Sequence, residues 1–147
     1  MTQVSEIRPQ DQDEALVLGY FINMKNKDWE AFAALWHDDA VQQAIFRPDG
    51  LDDFIPDAFV GRQRIVEHYK KALQNRREHD FWIDALHRTA DPECFIVECR
   101  GRSIVGENGR LYENKYVFVF KLREGKLVHL KEYADPLPIM RAFTGAF

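Results

Sequence analysis

Little in this sequence points toward a disulfide framework, a membrane or a nucleic acid. There are only two cysteines among 147 residues, Cys94 and Cys99. They fall an odd number of positions apart in one apparent strand, which turns them to opposite faces and prevents a bridge between them. Two thiols with no ligand pattern nearby also make no zinc site, so no metal is expected. No apolar run approaches the roughly 20 residues that a spanning helix needs; the longest, such as Tyr116 to Phe120, are strand-sized. Basic residues are not in excess, with 20 Lys and Arg against 24 Asp and Glu and a net charge of -4. No basic stripe carries interleaved aromatics, which argues against nucleic acid as a partner. Met1 to Asp13 lacks the basic-then-apolar pattern of a signal peptide, so the cytoplasm is the expected location. Repeats, linkers, a glycine-rich phosphate loop and a nucleophile elbow are all missing. One domain over residues 1–147, with no organic cofactor, is the expectation.

What is present is apolar and aromatic. Hydrophobic residues make up 46% and aromatics 13%, with 11 Phe, enough to build a core and to exclude disorder. Helical spacing predicts a helix from Glu14 to Lys25 and a second, capped by Asp28, running through Trp36. His37-Asp38-Asp39 reads as the exit turn from that helix, leading into a short strand over Val41 to Arg47. A Pro-, Asp- and Gly-rich loop, Pro48 to Asp57, is expected to lie over a cavity mouth. A third helix is predicted from Gly61 to Arg76, with the Arg76-Arg77 pair on its solvated face. From there the period changes to two. Strands are predicted at His79 to Thr89, Glu93 to Ile104, Arg110 to Arg123 and Lys126 to Asp135, with a short closing helix over Ile139 to Phe143. Turn chemistry at Glu107-Asn108-Gly109 and Arg123-Glu124-Gly125 joins the last three strands into an antiparallel meander. Helices followed by antiparallel strands give an α+β fold, a cone-shaped curved sheet with N-terminal helices packed on it and an apolar pocket inside.

The informative residues are polar ones at positions where the pattern calls for apolar ones. On the last strand Val128, Leu130, Glu132 and Ala134 share a face, opposite Leu127, His129, Lys131, Tyr133 and Asp135. That sets Glu132 on the apolar side. Burial raises a carboxyl pKa toward the range useful for proton transfer, although a structural carboxylate paired with a buried Arg or Tyr fits the same pattern. His68 lies at the margin of the core-facing stripe of the third helix, beside Ile65, Ala72 and Leu73. It is either a satisfied core histidine or a proton donor and acceptor near neutrality. Tyr112, Asn114, Tyr116, Phe118 and Phe120 form one aromatic face of the third strand of the four. Tyr112 and Asn114 are its polar end, and Tyr116, Phe118, Trp36 and Phe46 complete the expected ligand contacts. His79, His87 and His129 read as scattered strand histidines. The pair Val117 and Val119, flanked by Glu113, Lys115 and Lys121, would suit a homodimer packed through the outer sheet face.

Asp28-Trp29-Glu30-Ala31-Phe32-Ala33-Ala34-Leu35-Trp36-His37-Asp38-Asp39-Ala40, together with Phe59-Val60-Gly61-Arg62, resembles the nuclear transport factor 2-like superfamily, which includes SnoaL-like proteins. The phenazine biosynthesis A/B branch is the nearer likeness, carried by Asp91-Pro92-Glu93-Cys94-Phe95-Ile96-Val97-Glu98-Cys99, Tyr112-Glu113-Asn114, Gly125-Lys126, the Glu132 strand and Glu67-His68. This resemblance implies an acid–base pair of Glu132 and His68 assisted by Tyr112, with no cofactor. The branch carries a pocket serine where this chain has Ala72, and no equivalent of its pocket arginine is evident in the second helix. The expectation is thus a small-molecule enzyme of isomerase, cyclase or condensing type, with a non-catalytic ligand binder of the same fold as the alternative.

Overall fold

The computed structural model describes residues 1–47 and 56–144. The predicted loop Pro48 to Asp57 therefore falls largely outside the described residues. The chain begins with a two-residue strand, β1 (Thr2–Gln3), and a 3-10 turn, Val4–Glu6. This segment is no loose tail: β1 pairs with a later strand, and Val4 is fully buried. Next comes α1 (Gln12–Asn26), whose first turn is held by the Asp11 carboxylate accepting from the Glu14 N–H at 2.9 Å. Such a cap satisfies a backbone donor that the helix cannot. The helix ends where Lys27 adopts the left-handed conformation, and Asp28 at once caps α2 (Trp29–Ala34).

The second helix is shorter than its sequence pattern suggests, because the sheet captures the chain. Leu35 has its carbonyl taken by the Leu127 N–H at 2.8 Å, and Trp36 pairs with Leu127 as the first residue of β2 (Trp36–Ala44). His37, Asp38 and Asp39 belong to this strand and are not a helix-exit turn. Burying the whole indole of Trp36 on the inner face outweighs one more helical turn. A register irregularity between Trp36 and Val41 then lets both aspartates face outward.

After β3 (Phe59–Val60), α3 spans Arg62–Leu73. It stops short of Arg76 because the following strand begins there, with Arg76 opposite Val105 and the Gly106 N–H donating to the Asn75 carbonyl at 2.9 Å. The remaining strands are β4 (Arg76–Arg88), β5 (Cys94–Val105), β6 (Arg110–Arg123) and β7 (Lys126–Ala134), and α4 (Pro136–Thr144) closes the chain. At the β6–β7 turn, Glu124 and Gly125 have φ of 54° and 73°, the positive values that a two-residue hairpin loop demands.

One curved, unclosed sheet results, in the order β1-β4-β5-β6-β7-β2-β3. All neighbours are antiparallel except β2 and β7. This is the expected α+β cone. Its inner face packs an aromatic cluster that includes Tyr20 and Phe21 from α1, Phe32 from α2, Trp36 from β2, and Phe118 and Phe120 from β6. One strand departs from simple alternation. A register shift opposite Lys121 and Leu122 turns both Leu127 and Leu130 inward, where both are fully buried. Leu127 therefore does not share the outward face with His129, and Glu132 follows Leu130 on the inside. The two cysteines do face opposite ways, Cys99 buried and Cys94 only partly so, and both are free thiols. Among the described residues no helix is long and apolar enough to cross a membrane.

Gly101, in the middle of β5, backs directly onto two rings of the cavity wall. A Cβ there would meet the Tyr116 ring at 3.0 Å and the Phe81 ring at 3.1 Å. Gly101→Val should cost about 1–3 kcal/mol through overpacking. Urea denaturation measures this, and an unchanged midpoint would mean that the two rings yield freely.

Candidate active site

Between the inner sheet face and α1 and α3 lies a cavity of about 600 Å³. Glu132 lines it from β7, half-buried, with aromatic rings around it. Removal from water pushes its carboxyl from the ordinary 4.5 up to about 7, against a smaller downward pull from the Arg76 guanidinium. Its hydrogen bond among the described residues comes from the Gln42 amide, Nε2 to Oε2 at 3.5 Å. Parallel pairing sets Gln42 opposite Leu130 and Ala44 opposite Glu132, so Gln42 and Glu132 are diagonal neighbours on one face.

His68 lines the same cavity from α3. Its ring is stacked on Phe59, with centroids 3.9 Å apart and planes 18° from parallel. Burial, then Arg76 and Lys71, lower its pKa to about 4, so the imidazole is neutral at physiological pH. Among the described residues no hydrogen bond or ion pair joins it to Glu132. The cation that bears on both is Arg76.

Tyr112 and Tyr116 line the cavity from β6, as does Phe118. The Tyr112 hydroxyl receives hydrogen bonds from the Tyr116 hydroxyl at 2.9 Å and from the Asn114 amide at 3.0 Å. Two donors into one phenol oxygen polarise its own O–H and make it a stronger donor. Arg76 lies over the Tyr112 ring, 5.2 Å from its centroid.

Three expected ligand contacts sit elsewhere. Asn114 does not line the cavity; it is buried behind it, where its amide also donates to the Asp135 carbonyl at 2.8 Å and so braces Tyr112. Trp36 is wholly enclosed in the core, because the register of β2 drives its indole under the helices. Phe46 is 57% exposed and packs on Tyr133, beyond the end of β2.

Other residues supply polar groups that the sequence pattern concealed. Tyr20 from α1 and Tyr69 from α3 share a hydrogen bond of 2.7 Å at the cavity wall. Arg76 and His79 also line the cavity, so Arg76 is not on a solvated helix face. A bulge with Glu78 at φ 53° separates them and turns both inward. His79 is buried beside Phe81, and its pKa falls to about 3 through burial and the charge of Arg76. A pocket arginine thus exists, supplied by β4 rather than by the second helix. Ala72 faces the cavity. Pro56, at the edge of the described residues, lines it too. Among the described residues no group of three or more His, Cys, Asp or Glu is placed to hold a metal ion.

Comparison with known proteins agrees with this architecture. The family model for the SnoaL-like domain matches residues 17–130. The uncharacterized protein YesE of Bacillus subtilis is 28% identical over 124 residues, 84% of this chain and 82% of YesE. A crystal structure of a proposed isomerase from Bacillus subtilis superposes with a TM-score of 0.81 at 25% identity, covering 96% of this chain and 99% of that one. The phenazine biosynthesis-related protein phzb2 of Pseudomonas aeruginosa superposes with a TM-score of 0.75 at 24% identity, covering 92% and 83%.

The cavity's titrating groups give stability an opposed pH dependence. Glu132 is held at about 7 in the fold against 4.5 ordinarily. The stability it contributes is complete below 4.5 and is lost as pH rises through 7, a change of about 3 kcal/mol. His68 at about 4 and His79 at about 3 act in the other sense. The unfolded chain takes up their protons first, so stability falls as pH drops below 6.5. Stability should therefore peak slightly below neutrality. Glu132→Gln should gain on the wild type between pH 5 and pH 8, measured by scanning calorimetry. An equal difference at both values would show that Glu132 titrates as an ordinary carboxylate.

Proposed function

The chain belongs to the SnoaL-like family, and on that basis we propose that it is a small-molecule enzyme working by acid–base chemistry, of isomerase, cyclase or condensing type. The observation that carries the reading is Glu132, a carboxyl set among aromatic rings in the cavity, with its pKa at about 7. A base poised near neutrality is half ionised and can both take and return a proton. The substrate class is a cyclic or carbonyl-bearing organic molecule, needing no cofactor. Glu132 takes a proton from the carbon beside the carbonyl. Tyr112, polarised by Tyr116 and Asn114, donates to the oxygen as it becomes an enolate. The proton is then delivered to another atom, or the enol carbon attacks an electrophile. His68, neutral under these conditions, is the second proton-exchanging group, and Tyr116 and Phe118 supply ligand contacts.

One observation favours a second reading. His68 is stacked on Phe59 and makes no bond to Glu132, an arrangement that also suits a protein that binds a cyclic ligand without transforming it. Incubation with cyclic ketones in deuterated water distinguishes the two by mass spectrometry. The enzyme reading predicts deuterium at the α-carbon, an exchange rate rising with pH through about 7, and loss of exchange in Glu132→Gln with ligand binding retained. Saturable binding without exchange or product in the wild type would establish the binder.

The protein is further proposed to be a cytoplasmic homodimer, packed through the outer sheet face. Support comes from the exposure of Val117, at 37%, among Glu113, Lys115 and Lys121 on that face. Sedimentation at low concentration should give a dimer that Val117→Glu weakens; a wild-type monomer would refute this.

A further inference from the structure

We propose that Gln42 is the positioning residue for Glu132: its amide holds Oε2, the hydrogen-bonded Tyr20 and Tyr69 hold the amide, and Oε1 is left to exchange protons with the substrate. The inference rests on the reading of Glu132 as the proton-exchanging group. Gln42 is 3% exposed, on the inner face of β2. A buried carboxamide at that depth is costly unless both of its ends are satisfied. An ionised carboxylate can only accept, so the amide must turn its nitrogen toward Glu132, and the 3.5 Å contact is from Nε2. A second hydrogen on that nitrogen is then available to another acceptor. The Tyr69 hydroxyl is within hydrogen-bonding reach of the Gln42 side chain and is bonded at 2.7 Å to the Tyr20 hydroxyl. The polarity consistent with these groups has the Tyr69 oxygen accepting from the Tyr20 hydroxyl and from the Gln42 nitrogen, while the same nitrogen donates its second hydrogen to the carboxylate. Burial raises both phenols far above neutrality, so each keeps its proton.

The relay draws on four elements, α1, α3, β2 and β7, and each member is anchored independently. Tyr20 packs edge-on against Phe21, Trp36 and Phe118. Tyr69 packs against Phe32. Gln42 is fixed by the parallel ladder with β7. The titratable and charged groups that face the carboxyl are Tyr20, Tyr69, Cys99, Tyr112, Tyr116 and Arg76. Of these only Arg76 is charged near neutrality. Gln42 is thus the hydrogen-bond donor, as distinct from a charge, that favours the ionised form of Glu132.

The test is the titration midpoint of Glu132 in the free protein, read from side-chain carboxyl carbon-13 shifts and assigned by the signal that Glu132→Gln removes. Gln42→Leu keeps the shape and removes the donor, and should raise the midpoint by about one unit. Tyr69→Phe keeps the ring and frees the amide to rotate, and should raise it by less. The double variant should match Gln42→Leu alone, because Tyr69 acts through Gln42. An unmoved midpoint in Gln42→Leu, or additive shifts in the double variant, overturns the proposal. Should Gln42→Leu fail to fold, Tyr69→Phe decides alone: an upward shift supports the relay and an unmoved midpoint overturns it. None of these readouts requires a substrate, so failure here is distinct from failure of the deuterium exchange that tests the proposed function.

Discussion

The parallel seam between β2 and β7 is the constraint on which the rest of this structure depends. A run of antiparallel hairpins, β4 to β7, would by itself be an open twisted sheet with one wet face. The seam sets β2 parallel to the last strand of that run, the only parallel pair among the described residues, and bends the sheet over the helices. Its first contact, the Leu127 N–H to the Leu35 carbonyl, ends α2. Its second drives Trp36 into the core. Further along, the same ladder sets Gln42 and Ala44 beside Leu130 and Glu132. Curvature, the aromatic core and the polar centre of the cavity thus follow from one register.

Burial then decides what the polar centre can be. The aromatic shell of Tyr20, Phe118 and their neighbours strips much of the water from Glu132, and the loss of hydration outweighs the attraction of Arg76, pushing the carboxyl up to about 7. The same dryness keeps His68 and His79 neutral. The cavity thus holds one group poised at neutrality and two imidazoles far below it. This is an asymmetric arrangement, unlike two groups of matched pKa, and in the proposed reaction His68 acts from its neutral ring. The SnoaL-like fold does not itself dictate a reaction, since one scaffold accepts many sites; the pKa pattern narrows the chemistry where the fold does not.

Much of this was legible in the sequence wherever alternation is regular. The inner face of β6, from Tyr112 through Asn114, Tyr116, Phe118 and Phe120, is as the period of two gives it. The hairpin at Glu124-Gly125 follows from residue type. Glu132 stands out because Leu130 flanks it on the same face. Trp36 was misplaced because its helical spacing with Trp29, Phe32 and Ala33 is real, and only the distant strand β7 overrides it. Arg76 was misplaced for a related reason: basic residues continue the polar face of α3 past Leu73, and the event that ends the helix is pairing with Val105, a partner far away in the chain. The Tyr20–Tyr69 bond joins two helices, and no local pattern encodes it.

The concealed residues have a common physical cause. Arg76 and His79 flank the bulge between Arg77 and Asp80, and Gln42 follows the irregularity between Trp36 and Val41. Glu132 lies beyond the shift opposite Lys121 and Leu122. Each irregularity inserts or skips a position, and so exchanges inner and outer faces for every residue after it. Bulges let a strand turn a polar residue inward while its neighbours remain in the core. The periodicity that makes the fold readable therefore breaks near the residues that supply the cavity's polar groups. Glu132 could still be found, because its face is regular again by Leu130, whereas Arg76 and His79 straddle their bulge and could not.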